Sequence, residues 1–171
     1  MLPKAYTIVS AEESSNSLKL KVEIETTDIA QKKSVATLVD CGATGEFIDR
    51  DYAKSCQFNL VKLTQLVLVH NIDGTLNEAG SITEVVNLIL CYKNHLEQTT
   101  FAVTCLVGNQ KFLLGHSWLW KHNPEIDWVK GKVKMSRCPP MAAEMNFDRR
   151  GLFRRLKSNE GIPVPLAPPQ R

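Results

Sequence analysis

The chain has 171 residues, 43% of them hydrophobic and 23% charged, enough for one globular domain with tails. Its apolar runs are only a few residues long, far below the ~20 that a membrane-spanning helix needs, and no secretory h-region opens the sequence, so the expectation is a soluble, cytoplasmic protein with no membrane contact. The net charge of +3 divides into −4 for residues 1–128 and +7 for residues 129–171, so the basic character belongs to the tail, where a nucleic acid or acidic partner and plain solvation are competing readings.

In chain order, residues 1–17 read as an N-terminal extension. LKLKVEIE from Leu18 then alternates strictly, with Leu18, Leu20, Val22 and Ile24 on one face, the period-2 mark of a half-buried strand. TTDIAQKK supplies a turn, and residues 35–39 read as a second, more fully apolar strand that delivers Asp40 at its end. FIDRDYAKSC fits one or two helical turns, and residues 66–69 a strand. Asn71-Ile72-Asp73-Gly74 and Ala79-Gly80 mark a turn-rich, protruding hairpin before a strand at 82–90. KNHLEQ reads as a turn, 100–107 as a strand, Gly108-Asn109 as a turn, and Phe112-Leu113-Leu114 as a short apolar run ending on Gly115. SWLWKH is the best helix candidate and must stop near Asn123-Pro124, because a residue before proline is pushed out of the α region. IDWVKGKVKM reads as a hairpin turning at Lys130-Gly131. From Cys138 the sequence turns proline- and arginine-rich, which sets a domain of 18–137 and a tail of 138–171 with room for a short amphipathic helix at 145–156. The fold class expected is all-β, a small closed or strongly curved sheet with one or two short helices.

Several chemical motifs fail. Five cysteines, Cys41, Cys56, Cys91, Cys105 and Cys138, are an odd set without a Cys-x-x-Cys pair, which argues against disulfides or zinc; Cys91 and Cys105 read as small core hydrophobes. His70, His95, His116 and His122 show no metal-ligand spacing and read as surface or turn residues, so no metal is assigned. Gly115-His116-Ser117-Trp118-Leu119 has leucine where a nucleophile elbow needs glycine, and residues 42–45 lack the lysine and hydroxyl of a phosphate loop. Asp40 differs: an apolar run, an acid and a small-residue loop present a carboxylate at a backbone-lined site, with an ordinary turn aspartate as the bland alternative. A second apolar-to-glycine junction, FLLG, stands before the helix, with a helix-start glycine as the bland reading of Gly115.

Three stretches together resemble the retropepsin-type aspartic proteases, in particular the protease domain of gypsy-class LTR retrotransposon polyproteins: LVDCGATGEFID, VHNIDGTLNEAGSI, and FLLGHSWLWKHNPEIDW. The resemblance covers about residues 18–136 and implies an acid-protease barrel. It implies an aspartic endopeptidase with Asp40 as the single catalytic residue per chain, hence a homodimer, an activated water, and a polypeptide substrate from its own polyprotein; the chemistry calls for no cofactor. It also implies an active-site loop of Cys41, Gly42, Ala43 and Thr44, a flap at Asn71, Ile72, Asp73 and Gly74, and structural support from Leu114 and Gly115. One residue departs from the pattern: Cys41 stands where the family carries Ser or Thr, and a thiol is a weaker hydrogen-bonding group, which implies a looser dimer and reduced activity. The competing readings are a catalytically weak or inactive peptide-binding or dimerisation module and, through the tail, a nucleic-acid adaptor.

Overall fold

The structure is a computed structural model that describes residues 5–7, 17–71, 73–77 and 80–137. The tail, with the helix expected at 145–156, lies outside the described residues. The chain runs β1 (Ala5–Thr7), β2 (Lys19–Thr26), β3 (Lys32–Val39), β4 (Glu46–Asp49), α1 (Arg50–Ser55), β5 (Val61–His70), β6 (Ile82–Tyr92), β7 (His95–Thr104), β8 (Phe112–Leu114), α2 (His116–His122), β9 (Glu125–Asp127) and β10 (Lys132–Lys134). Strand order is β1-β5-β6-β2-β3-β8-β4-β7, and β7 pairs back onto β6, so β6, β2, β3, β8, β4 and β7 close on themselves as a six-stranded barrel. The all-β class with two short helices therefore holds for the described residues. None of their helices is long and apolar enough to cross a membrane.

Period-2 alternation splits the core in two. On β8, Phe112 and Leu114 join one cluster while Leu113 joins the other; β4 does the same with Ile48 and Phe47, and β7 with Phe101 and Val103 against Ala102. Strands buried on both faces read as continuous apolar runs rather than alternating ones, which is why FLL carries no polar residue. The larger cluster takes the inward side chains of β2, Leu20, Val22 and Ile24, and Trp118 of α2. Phe112 sits in it edge-on to Phe101 and Tyr52, at 5.0 and 5.8 Å between ring centroids. The smaller cluster gathers Leu38, Ala43 and Phe47 with Val67 and Val69 of β5 and Tyr6 of β1.

Several boundaries differ from the sequence reading. β3 begins at Lys32, where the turn was expected, because Lys32 pairs with Glu25 across the hairpin and its ammonium lies 2.9 Å from Glu23. β5 begins at Val61, well before residue 66; its residues 61, 62, 64, 65 and 66 are exposed, so no apolar alternation announces it. FIDRDY is divided, with Phe47 to Asp49 in β4 and a single helix starting at Arg50. Only Lys93 and Asn94 form the turn expected over KNHLEQ, and β7 ends at Thr104, leaving Cys105 exposed rather than buried. α2 ends as anticipated: Asn123 adopts the left-handed conformation (φ 41°) and its N–H donates to Leu119 C=O before Pro124.

Asp49 joins three elements: it ends β4, its Oδ1 accepts from Tyr52 N–H at 2.9 Å to cap α1, and its Oδ2 accepts from Leu106 N–H at 3.2 Å. Asp49→Ala is expected to cost about 2 kcal/mol, a cap plus one further hydrogen bond. A urea titration checks it; an unchanged midpoint would remove this role.

Candidate active site

Asp40 follows directly on β3, and its backbone extends the β3–β8 pairing by one step, with Asp40 N–H donating to Leu114 C=O at 3.0 Å. The chain then turns on itself: Gly42 N–H donates to Asp40 Oδ1 at 2.8 Å and Ala43 N–H to Asp40 C=O at 3.3 Å. One carboxylate oxygen thus makes an ordinary turn bond. The other, Oδ2, is buried and accepts no hydrogen bond from any described group. An unmet buried acceptor costs on the order of 1–3 kcal/mol, more when charged, so folding alone gives no reason to keep it.

The loop that carries Asp40 is clamped by backbone. β8 pairs parallel with the incoming β3 and antiparallel with the outgoing β4, and so lies between the two arms of the loop. Beyond β8, His116 N–H donates to Ala43 C=O at 2.6 Å and Ser117 N–H to Thr44 C=O at 3.2 Å. A Cβ at position 115 would run into the carbonyl oxygens of Ala43 and Gly45, so close approach rather than backbone conformation demands glycine there. Gly115 is also the residue before α2, without a side-chain cap. Ala43 is fully buried under the clamp, Gly42 is half-buried, and Cys41 and Thr44 are exposed.

The hairpin beyond β5 is held by bonds within itself. Asn71 N–H donates to Thr75 C=O at 2.8 Å, Gly74 N–H to Asn71 C=O at 3.0 Å, and Asp73 Oδ1 accepts from both the N–H and the hydroxyl of Thr75, at 2.9 and 2.7 Å. Those bonds hold the Asp73 carboxyl below its ordinary value. Gly74 takes φ +82° in open space, so the tip needs glycine for conformation alone. Ile72 lies outside the described residues. Asn71, Asp73 and Gly74 thus sit at a protruding tip, and the strand beneath it, through Val67 and Val69, shares the smaller core with Ala43 and Phe47.

A second constellation was missed in the sequence, and it corrects the placing of two histidines at the surface. His95 and His122 are buried, and their Nε2 atoms lie 3.5 and 2.9 Å from Glu97 Oε1. Trp118 Nε1–H donates to the same oxygen at 2.8 Å, and Lys121 Nζ donates to Oε2 at 2.7 Å. Burial alone would raise Glu97, but the hydrogen bonds from His122, His95 and Lys121 outweigh it and hold the carboxyl well below the usual carboxylate range. One ligand atom from each of His95, Glu97 and His122 falls within 4.8 Å of the others, a donor set of the kind that holds a divalent cation. Both carboxylate oxygens are, however, already engaged by Trp118 and Lys121, so the group as it stands is a bridge from β7 to α2. Nearby, Ser117 Oγ donates to Glu46 Oε1 at 2.7 Å, which opposes part of the upward push that burial gives the Glu46 carboxyl. Spacings of 2 and 25 residues gave these partners no motif in the sequence.

Residues 36–140 match the model of the PEG10/RTL1 protease domain, a span that runs from within β3 through the aspartate loop, the hairpin and Gly115. Among solved structures, the chain is similar to the retroviral protease-like domain of Ddi1 from Leishmania major, at 14% identity over 70% of this chain and 88% of that one, with a TM-score of 0.40. It is also similar to Lpg0085, a protein of unknown function from Legionella pneumophila subsp. pneumophila str. Philadelphia 1, at 15% identity over 66% of this chain and 94% of that one, with a TM-score of 0.34.

Two outcomes follow from the clamp and the bridge. Gly115→Ala forces backbone atoms apart and is expected to cost about 1–3 kcal/mol; a variant as stable as the parent in thermal unfolding would contradict the close approach. Glu97, depressed in the folded chain, contributes stability that is complete above its unfolded value of 4.5 and is lost as pH falls below it. Unfolding measured at several acidic pH values should therefore show stability falling below about pH 5, with Glu97→Gln flattening that fall and costing about 1–3 kcal/mol at neutral pH.

Proposed function

This chain belongs to the PEG10/RTL1 protease domain family, and we propose that it is an aspartic-type endopeptidase in which Asp40 from each of two copies forms the catalytic pair. The observation that carries the reading is the divided state of that carboxylate, Oδ1 bonded to Gly42 N–H at 2.8 Å and Oδ2 buried without a described partner. A second Asp40 facing the first across a two-fold axis would give Oδ2 its partner, because two carboxyls in contact hold one proton between them rather than ionise together.

In that pair the ionised carboxylate takes a proton from a bound water, whose oxygen attacks the peptide carbonyl carbon, while the protonated partner donates to the carbonyl oxygen. Transfer of a proton to the amide nitrogen then lets the carbon–nitrogen bond break. The shared proton belongs to the pair, not to either copy. Gly42 brings backbone close to the substrate strand, Ala43 and Thr44 line the cleft, Leu114 and Gly115 hold the loop, and the hairpin tip covers the peptide and excludes water. The quoted LVDCGATGEFID and FLLGHSWLWKHNPEIDW stretches support an origin in a gypsy-class retrotransposon, and hence extended segments of a polyprotein as substrate.

Cys41 favours one alternative. It is exposed beside Asp40, where a dimer would place it near its copy, and a thiol in place of a hydroxyl weakens a loop-to-loop bond. A copy that pairs too weakly would still offer a peptide cleft, as a binding module without catalysis.

Asp40→Asn should lower kcat/KM on an unstructured polypeptide by about 10²–10⁴-fold; retained activity would sink the enzyme. Cys41→Ser should tighten self-association on the order of tenfold, as one or two recovered hydrogen bonds allow, read by sedimentation. A strict monomer that also fails to bind a statine-type transition-state mimic would favour the binding module.

A further inference from the structure

Three residues near the N-terminus occupy a strand edge beside the Asp40 loop. β1 pairs parallel with the free edge of β5, Ala5 opposite Leu68, Tyr6 opposite Val69 and Thr7 opposite His70, so it stops one residue before the hairpin tip begins. Tyr6 is only 5% exposed. Its ring meets Phe47 edge-on, 5.1 Å between centroids, and packs in one cluster with Ala43, Val67 and Val69. A Cβ on Gly45 would run into that ring, so the glycine makes room for it. Tyr6 therefore bridges two parts of the molecule, packing on the loop after Asp40 through Ala43 and on the strand of the hairpin through Val67 and Val69. Next to the ring an open cleft of about 520 Å³ continues along Thr44, Gly45 and Glu46 to Thr99 and Lys121.

An extended segment bonded along a strand edge, with one side chain sunk in a pocket, is how strand-addition sites grip a peptide. We propose that the Tyr6 pocket is the subsite for an aromatic side chain of a bound peptide, and that residues 5–7 are a built-in occupant that such a peptide must displace. The inference rests on the peptide-cleft reading above but not on catalysis. Its chemistry commits the ligand to an extended segment carrying tyrosine: apolar walls take the ring, and a strand edge takes the backbone. Burial, and then the charge of Glu46, push the Tyr6 hydroxyl up to about 12, so the occupant stays neutral at physiological pH and no titration releases it. Release must come from competition, and a segment tethered within the same chain competes at an effective concentration on the order of millimolar.

The test uses the whole chain with Asp40→Asn, so that nothing is cleaved, and a fluorescein-labelled peptide of residues 3–9, PKAYTIV, read by anisotropy. With Tyr6 present, binding should be weak. Tyr6→Ala should tighten it at least about tenfold, since the intramolecular competitor is gone, and so should Thr7→Pro, which takes a backbone N–H out of the three-residue strand. A peptide with alanine for tyrosine should lose that gain, and Gly45→Ala, which fills the pocket, should abolish it. Folding of each variant is checked by its thermal transition. If both releasing variants fold and neither binds PKAYTIV more tightly, or if Gly45→Ala leaves the gain intact, the proposal is overturned. Tighter binding without turnover in the matching Asp40 chains would uphold the occupant and refute the protease; turnover without tighter binding would do the reverse.

Discussion

The fold depends on one backbone arrangement, β8 lying between the two arms of the Asp40 loop. Because β8 pairs with β3 on one side and β4 on the other, it is also the strand that lets the barrel close. The same chain segment then fixes the loop from behind, through Leu114 C=O, Gly115 and the N–H groups of His116 and Ser117. All of these are main-chain groups. The exposed side chains at 41 and 44 can therefore vary while the carboxylate stays in place, whereas position 115, where the backbones nearly touch, is restricted to glycine. α2 begins within this clamp, at His116 and Ser117, and its Trp118 reaches into the larger core, so packing of the helix and position of the loop are one constraint.

Much of this was legible in the sequence where one face is apolar and the other polar. β2 is the clearest case, and Asp40 at the end of an apolar strand is the most useful. The turn and stop signals also read correctly at Asn123-Pro124. Legibility failed in two ways, both physical. β5 exposes most of its first six residues, so no period could be seen there. β7 begins with inward-facing His95 and Glu97, residue types that mark loops unless something buried answers them. What answers them is α2, more than twenty residues on, and only the fold brings the two together. Tyr6 was hidden for the same reason, since three residues of an N-terminal extension gain meaning only from the pocket opposite.

Tyr6 also alters how the smaller core is understood. A purely structural cluster would be completed by strands of the barrel, yet this one needs β1 and β5, both outside the closed circuit. Its barrel residues include Ile82, Val85, Ala102 and Leu113 as well as Leu38 and Phe47, which flank the aspartate loop that carries Ala43. A surface finished by a three-residue strand held at one edge is the basis of the displacement proposed above.

Glu97 and Asp40 show what separates structure from chemistry. Glu97 is surrounded by donors: an indole N–H, two imidazoles and an ammonium share its two oxygens. Saturated in this way it is locked in its ionised form, and further proton traffic would have to break several bonds at once. Asp40 has the opposite environment, a single backbone N–H on one oxygen and none described on the other. Folding provides no compensation for that oxygen, although the clamp around it holds its position by backbone alone. Rigid placement with an acceptor that no described group fills is costly for stability, and the catalytic reading proposed above would use that oxygen to meet a second carboxyl without rearranging the site. The two acids thus differ in what holds them: Glu97 ties β7 to α2 through side chains, and Asp40 is placed by backbone alone.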